Sequence, residues 1–335
     1  MTFSINTDYE SVLFQNKPSL KMIRELEFLS LWLVDSVKNT VAYSDAYLDR
    51  IQKITGRKIE LKPKATNFTN WWGELKNLDV ERFLNSKETG QSLERRIDES
   101  AGIILTSIDD LHQLDSSKTY LFKSFDGVSG KGHKFVHQLK AQDFPLLAEV
   151  LHQRVIDFSC YIFPSGERIY YQNFISPQFS YKGSFFDLNN ANNLLELDFV
   201  KERNHLDWKK YQTQVDQIEE FVRSRGKGGF SIDSYIHQEG IRTLCEINYR
   251  RTMGVTAFEI ARIFPGKRFH FFTILKISKP YDEVLEWAEK EKILLLSHEQ
   301  NFFYYFLISE DDKVQIKYKI QKLELVSGTS LSIDI

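Results

Sequence analysis

The sequence predicts an α+β fold, with a small N-terminal α/β domain ahead of the main body and a βαββ-like appendage after it. Three observations lead there. Hydrophobic residues make up 42% and aromatic residues 14% of 335, enough apolar surface for a sizeable core and for about two domains of ordinary size. Apolar runs at 120–124 and 134–136, and again at 231–237 and 244–248, are joined by glycine-containing turns and read as antiparallel hairpins. Longer stretches after residue 86 and at 208–225 read as helices, the first ahead of those hairpins and the second between them.

Taken in order, residues 1–84 form the lead-in domain, with an apolar segment at 26–37, a helix at 44–55 and a turn at Trp71-Trp72-Gly73. Residues 85–264 form the body, expected as two subdomains divided near residue 150. It opens with Asn85 and Ser86, either of which can cap a helix running to about residue 100 by accepting from its first free amides. Further strands are expected at 158–163 and 169–173. After Pro265-Gly266 the appendage at 265–335 reads as a strand at 269–275, a helix at 281–290 and an aromatic strand at 302–308.

Composition also excludes function classes. Lys and Arg number 44 against 46 Asp and Glu, a formal charge of -2, so no global basic field exists to hold nucleic acid or an anionic membrane. The strongest apolar run, residues 28–34, is interrupted by Ser30 and falls far short of the roughly 20 residues of a membrane helix. No basic segment followed by an apolar run marks a secretion signal, and Cys160 and Cys245 form no CxxC pair, so a cytoplasmic chain without disulfides or structural zinc is expected.

Two constellations carry chemistry. In the first, Gly127, Gly130 and Gly132, with Ser129 among them, make a turn between strands whose backbone amides can close over phosphate oxygens. Lys123, on the strand entering the turn, can neutralise the same phosphates; a plain hairpin turn is the other reading of these residues. Lys131 is followed by Gly132 rather than Ser or Thr, which excludes a P-loop, and a turn between two strands excludes a Rossmann fingerprint. In the second constellation, strand alternation puts Glu246, Asn248 and Arg250 on one face, with Cys245, Ile247 and Tyr249 on the other. If the strand carrying Asp233 pairs with it as a hairpin, Asp233 lies across the ladder from that face. Hard oxygen ligands with room left for phosphates suit magnesium, and a solvated strand face is the alternative.

Together these residues resemble the ATP-grasp superfamily over residues 85–264. The resemblance implies ATP and magnesium as cofactors and a carboxylate-amine ligase that makes an acyl-phosphate from a small-molecule or peptide carboxylate for attack by an amine acceptor. It assigns Lys87 and Lys123 as the nucleotide lysines, Gly127, Ser129, Gly130 and Gly132 to the lid over the phosphates, and Gly102, Ile103 and Thr106 to the passage into the grasp domain. Glu149 is similar to the residue that meets adenine, Asp157 to the one that meets the ribose hydroxyls, and Asp233, Glu246 and Asn248 to the magnesium ligands. Lys123 and Arg250 are the implied catalytic cations, and the Glu-x-Asn-x-Arg form is nearest to the biotin-carboxylase-like and amide-forming branches. Ser231 departs from the Arg that many peptide-forming members carry there, which moves the transferred phosphate to Arg223, Arg225 or Arg250. A small-molecule kinase and a non-catalytic ATP-binding regulatory protein share the same motifs.

The remaining candidates read as structural. His133 and His137 have helix-type metal spacing but fall on or beyond a strand, Cys160 and Cys245 read as small buried hydrophobes, and Trp71, Trp72 and the aromatics at 302–306 read as core or domain-interface residues.

Overall fold

A computed structural model of the chain describes residues 1–15, 17, 19–97, 102–125, 133–176, 179–331 and 335. The N-terminal part is a small parallel sheet in the order β3-β2-β1-β4, made of β1 (Phe3–Ser4), β2 (Ser36–Lys38), β3 (Glu60–Leu61) and β4 (Thr69–Asn70). Its connections carry α1 (Tyr9–Gln15), α2 (Leu20–Leu26), α3 (Phe28–Leu31) and α4 (Asp45–Thr55). The expected helix at 44–55 is α4: the Ser44 hydroxyl accepts from the Tyr47 amide, and Gly56 ends the helix at φ 72°. The apolar segment at 26–37 becomes α3 and the entry to β2, and it buries Phe28, Leu29, Leu31 and Trp32 completely.

Helices α5 (Leu78–Asn85) and α6 (Lys87–Ile97) lead into a second, antiparallel sheet. Ser86 accepts from the Glu88 amide at 3.2 Å, whereas Asn85 cross-links the chain instead, accepting from the Tyr249 amide at 2.9 Å. The sheet has the order β5-β8-β6-β7, from β5 (Ile103–Leu105), β6 (Tyr120–Lys123), β7 (His133–Lys134) and β8 (Leu146–Val150), over a core of Leu105, Phe122, Leu146 and Ala148. The return strand expected at 134–136 lies one residue earlier, because the Gln138 side chain accepts from the Phe135 amide at 2.8 Å and turns 136–138 into a short 3-10 helix.

The third sheet runs through the molecule in the order β13-β12-β9-β10-β11-β14-β16-β15. Its strands are β9 (Arg154–Ile162), β10 (Arg168–Ile175), β11 (Tyr181–Asp187), β12 (Phe230–His237), β13 (Gly240–Asn248), β14 (Phe269–Leu275), β15 (Leu294–Leu295) and β16 (Tyr304–Glu310). With helices α7 (Asp198–Lys201), α8 (Trp208–Arg223), α9 (Met253–Ala261) and α10 (Tyr281–Lys290), the C-terminal βαββ unit is β14-α10-β15-β16, and it continues the sheet through the β11–β14 pairing. Strand β11 and the last helix, α11 (Lys313–Ser327), were not expected from the sequence. Within β11, Gly183 lies so close to β14 that a β-carbon would stand 2.1 Å from the Phe272 carbonyl oxygen, so glycine marks a close approach there rather than a turn.

One face of the large sheet packs on α8, and Phe158 from β9 is enclosed by Phe199, Trp208 and Tyr211 with ring centroids 5.3–6.1 Å away. The other face packs on α9 and on the N-terminal helices in one continuous core from Ile5 and Tyr9 to Phe272 and Tyr305. Among the described residues no helix is long and apolar enough to cross a membrane. Since Phe158 has no exposed surface, Phe158→Ala should lower unfolding free energy by about 3–5 kcal/mol, measured by urea denaturation.

Candidate functional site

The β12–β13 ladder places Asp233 directly opposite Glu246 and Ser231 opposite Asn248, so the two carboxylates and the amide share one face, as alternation predicts. On the other flank of β12, Asp233 faces Ser159 of β9. Ser159 Oγ donates to Asp233 Oδ1 at 2.7 Å, Ser231 Oγ donates to the same oxygen at 3.2 Å, and Asn248 Nδ2 donates to Oδ2 at 2.9 Å. The network continues sideways: Asn173 Nδ2 donates to Ser159 Oγ at 2.6 Å, and Ser184 Oγ donates to Asn173 Oδ1 at 2.8 Å. Burial and the neighbouring Glu246 charge push the Asp233 carboxyl up to about 6, against the opposing hydrogen bonds. Burial also acts on Glu246, but Lys87, Lys123 and Arg250 outweigh it and hold that carboxyl below its ordinary range.

Lys87 enters from the start of α6, its Nζ 3.4 Å from Glu246, and its backbone amide donates to the Phe125 carbonyl at 3.3 Å. Lys123 enters from β6 and is ion-paired with Glu149 of β8, which Arg242 of β13 also holds at 3.1 Å. Arg242 in turn makes a two-pronged pair with Glu94 of α6 at 2.7 and 2.8 Å. Burial raises the Glu149 carboxyl less than Lys123 and Arg242 lower it, leaving it at about 2. This chain of four charged groups joins the small antiparallel sheet to the large one.

Between Asp233 and Tyr235 the ladder advances two residues on β12 and four on β13, since Tyr235 pairs with Arg242. That bulge corrects the reading of Cys245. Plain alternation turns it away from Glu246, but its sulfur lies 3.8 Å from both Lys123 Nζ and Arg154 Nη2, on the ligand side. Cys160, by contrast, is fully buried as expected.

Arg250 leaves β13 just beyond the ladder. It donates to Asn248 Oδ1 at 3.1 Å and to its neighbour's carbonyl at 3.0 Å, pairs with Glu10 of α1, and lies 5.7 Å from the Trp72 ring centre. Arg223 and Arg225 sit at the end of α8. Arg223 donates to the Gly228 carbonyl at 3.0 Å, and Arg225 stacks on Phe221 at 3.8 Å. Of the three arginines considered for the phosphate, Arg250 is the one joined to the carboxylate face.

The structure thus gathers Lys87, Lys123, Asp233, Glu246, Asn248 and Arg250, with Glu149 behind Lys123. Asp157 stands further along β9, paired with Arg154 at 2.7 Å, beside a cavity of about 1780 Å³ whose wall also includes Asn173, Tyr181, Lys276 and Lys313 but not the carboxylates themselves. Gly127, Ser129, Gly130 and Gly132 lie outside the described residues. His133 and His137 meet different rings, Phe179 and Phe135, and Trp71 and Trp72 are buried in the interface beneath Arg251 and Arg250. Sequence reasoning missed Ser159, Arg242 and Glu10. The first two had a signal, since each lies an even number of strand positions from a named site residue, Asp157 or Glu246; Glu10 had none.

No family model and no curated protein matches this sequence. Solved structures do match. The ADP complex of N5-carboxyaminoimidazole synthetase from Staphylococcus aureus is 10% identical with a TM-score of 0.53, covering 96% of each chain. The chain has the ATP-grasp fold. A biotin carboxylase complex with β,γ-ATP from Campylobacter jejuni gives 0.51 at 10% identity over 97% of this chain and 90% of that one. An L-amino acid ligase from Bacillus licheniformis gives 0.51 at 11% identity over 74% of this chain and 72% of that one. The likeness covers the N-terminal and C-terminal parts of this chain as well as residues 85–264, and at these identities it is a likeness of fold.

The raised Asp233 carboxyl has a measurable sign. A carboxyl at about 6 when folded and about 3.9 when unfolded contributes stability that is complete below the lower value and is lost as pH rises through the upper one. The Asp233→Asn chain should therefore gain about 1 kcal/mol on its parent between about pH 5 and pH 7, read by denaturant unfolding at both values.

Proposed function

We propose that the chain is an ATP- and magnesium-dependent carboxylate-amine ligase. The observation that carries this reading is the convergence, on one sheet face of an ATP-grasp fold, of two lysines, two opposed carboxylates, an amide and an arginine. The cavity beside Asp157 has the size for an acceptor next to a nucleotide. Solved structures of this fold in complex with ADP or β,γ-ATP, and that of an L-amino acid ligase, support the same class. We assign nucleotide binding to residues 85–264, acceptor choice to 1–84 and 265–335, and a cytoplasmic location to the whole.

The residues present fit magnesium. Burial, and after it the facing Glu246 charge, pushes the Asp233 carboxyl up to about 6, a cost that a divalent cation between the two carboxylates would relieve. Asp233, Glu246 and the Asn248 oxygen would hold the ion, which when bound supplies positive charge to the transferred phosphoryl oxygens. Lys123 and Lys87 exchange their carboxylate partners for nucleotide phosphates. Asp157 accepts from ribose hydroxyls, and Glu149, released as Lys123 turns to the phosphates, accepts from adenine. A substrate carboxylate oxygen then attacks the γ-phosphorus, the bond to the bridging oxygen breaks and ADP leaves. Arg250 steadies the carboxylate and the developing charge. The amine nitrogen attacks the acyl carbon, the carbon-oxygen bond breaks, and phosphate departs as the amine gives up its proton.

Lys123→Ala should weaken ATP binding by about 1.5–3 kcal/mol, read by calorimetry, because buried phosphates lose a charge-assisted donor. Glu246→Gln should leave the fold intact while suppressing magnesium-dependent turnover. The reaction type is tested by screening amino acids, short peptides and other carboxylates with ATP and hydroxylamine in place of the amine. A ligase yields ADP and a hydroxamate; a phosphorylated product that hydroxylamine leaves untouched would make the chain a kinase, and nucleotide binding without ADP release would make it regulatory.

A further inference from the structure

The turn that links β12 to β13 lies against the segment that links β8 to β9, the one covalent return from the small antiparallel sheet to the large one. Two imidazoles and a carboxylate meet there. His152 comes from the link, His237 from the last position of β12 and Glu239 from the turn, and one ligand atom of each lies within 4.8 Å of the others. The two imidazole rings are 4.2 Å apart between centres with their planes at 32°. The Glu239 amide donates to His237 Nδ1 across a long contact of 3.4 Å. The two segments are already fastened beside the cluster, where Gln238 Nε2 donates to Gln153 Oε1 at 3.1 Å.

We propose that His152, His237 and Glu239 bind a divalent transition-metal ion of the zinc class, clasping the link between the two sheets to the β12–β13 turn. Two imidazole nitrogens and one carboxylate oxygen are a donor set that zinc takes with water in its fourth position, whereas magnesium prefers oxygen alone. Around one zinc ion such donor atoms stand roughly 3.4 Å apart, so the cluster closes by about an ångström. Glu239 is exposed and supplies most of that movement by rotating its side chain. Of the cations that act on His152, Arg242 is balanced by Glu94 and Glu149 and Lys118 by Asp115, so neither charge opposes the ion unscreened. The site is separate from Asp233, Glu246 and Asn248, and it does not depend on the ligase reading.

Zinc chloride titrated calorimetrically into the full-length chain without nucleotide tests this. The expected result is one ion per chain, with affinity reduced at least about tenfold in His152→Ala and in His237→Ala, and reduced less in Glu239→Gln. Thermal unfolding checks that each variant is folded; the exposed Glu239 can be changed without touching the core, so the test survives a failure of either histidine variant to fold. Glu246→Gln should bind zinc as the parent does, which separates failure of this proposal from failure of the nucleotide reading. With the ion bound, amide exchange should slow at residues 151–153 and 237–240. No uptake by the parent, or equal affinity in the parent and the folded variants, would overturn the proposal.

Discussion

Two carboxylates facing each other across a ladder set the terms for everything around them. Asp233 and Glu246 are held in register by β12 and β13, and a pair of negative charges so placed raises the energy of the chain unless other groups answer it. The answers come from four directions. Lys87 arrives from α6, Ser159 from β9, Asn248 from the same strand as Glu246, and Arg250 from the chain just beyond it. Each brings its own element to the sheet face, so the location of α6, the neighbour order of β9 and β12, and the exit of β13 are tied to one electrostatic demand. The demand is only partly met, and the Asp233 carboxyl stays pushed up to about 6.

The contact between the small sheet and the body follows the same logic with the signs balanced. Lys123, Glu149, Arg242 and Glu94 alternate in charge across the junction, and each is at least nine-tenths buried by its own side chain. Burying four charges costs several kcal/mol each in desolvation, and mutual pairing with two-pronged geometry at Arg242 returns it. An apolar contact would hold the two sheets just as firmly. A charged one also fixes which groups face each other, since each of the four is matched by a partner of opposite sign.

Much of this was legible in the sequence because it obeys short-range rules. Alternation placed Glu246, Asn248 and Arg250 together, and the capping hydroxyl of Ser44 and the glycine at 56 bounded α4. Three things escaped. Strand β11 carries Gly183 and Ser184 in its middle, which read as loop chemistry until the close approach of β14 shows why nothing larger fits. Helix α11 buries Ile316, Ile320 and Leu323 but also exposes Val314, Tyr318 and Leu325, so no single apolar stripe marks it. Glu10 meets Arg250 across 240 positions of sequence, a distance at which no spacing rule operates.

The bulge opposite Ser234 has a consequence for how this strand can change. Two extra residues on β13 there break the alternation, so that Arg242, Cys245 and Glu246 all face the site while Leu244 and Ile247 stay in the core beneath α8. Insertion or deletion of a single codon between 243 and 245 falls inside the bulge, whose depth changes while Glu246, Ile247 and Asn248 keep their pairing with Asp233, Ile232 and Ser231. Length variation at this point is therefore buffered by the bulge, and the facing carboxylates keep their side of the sheet.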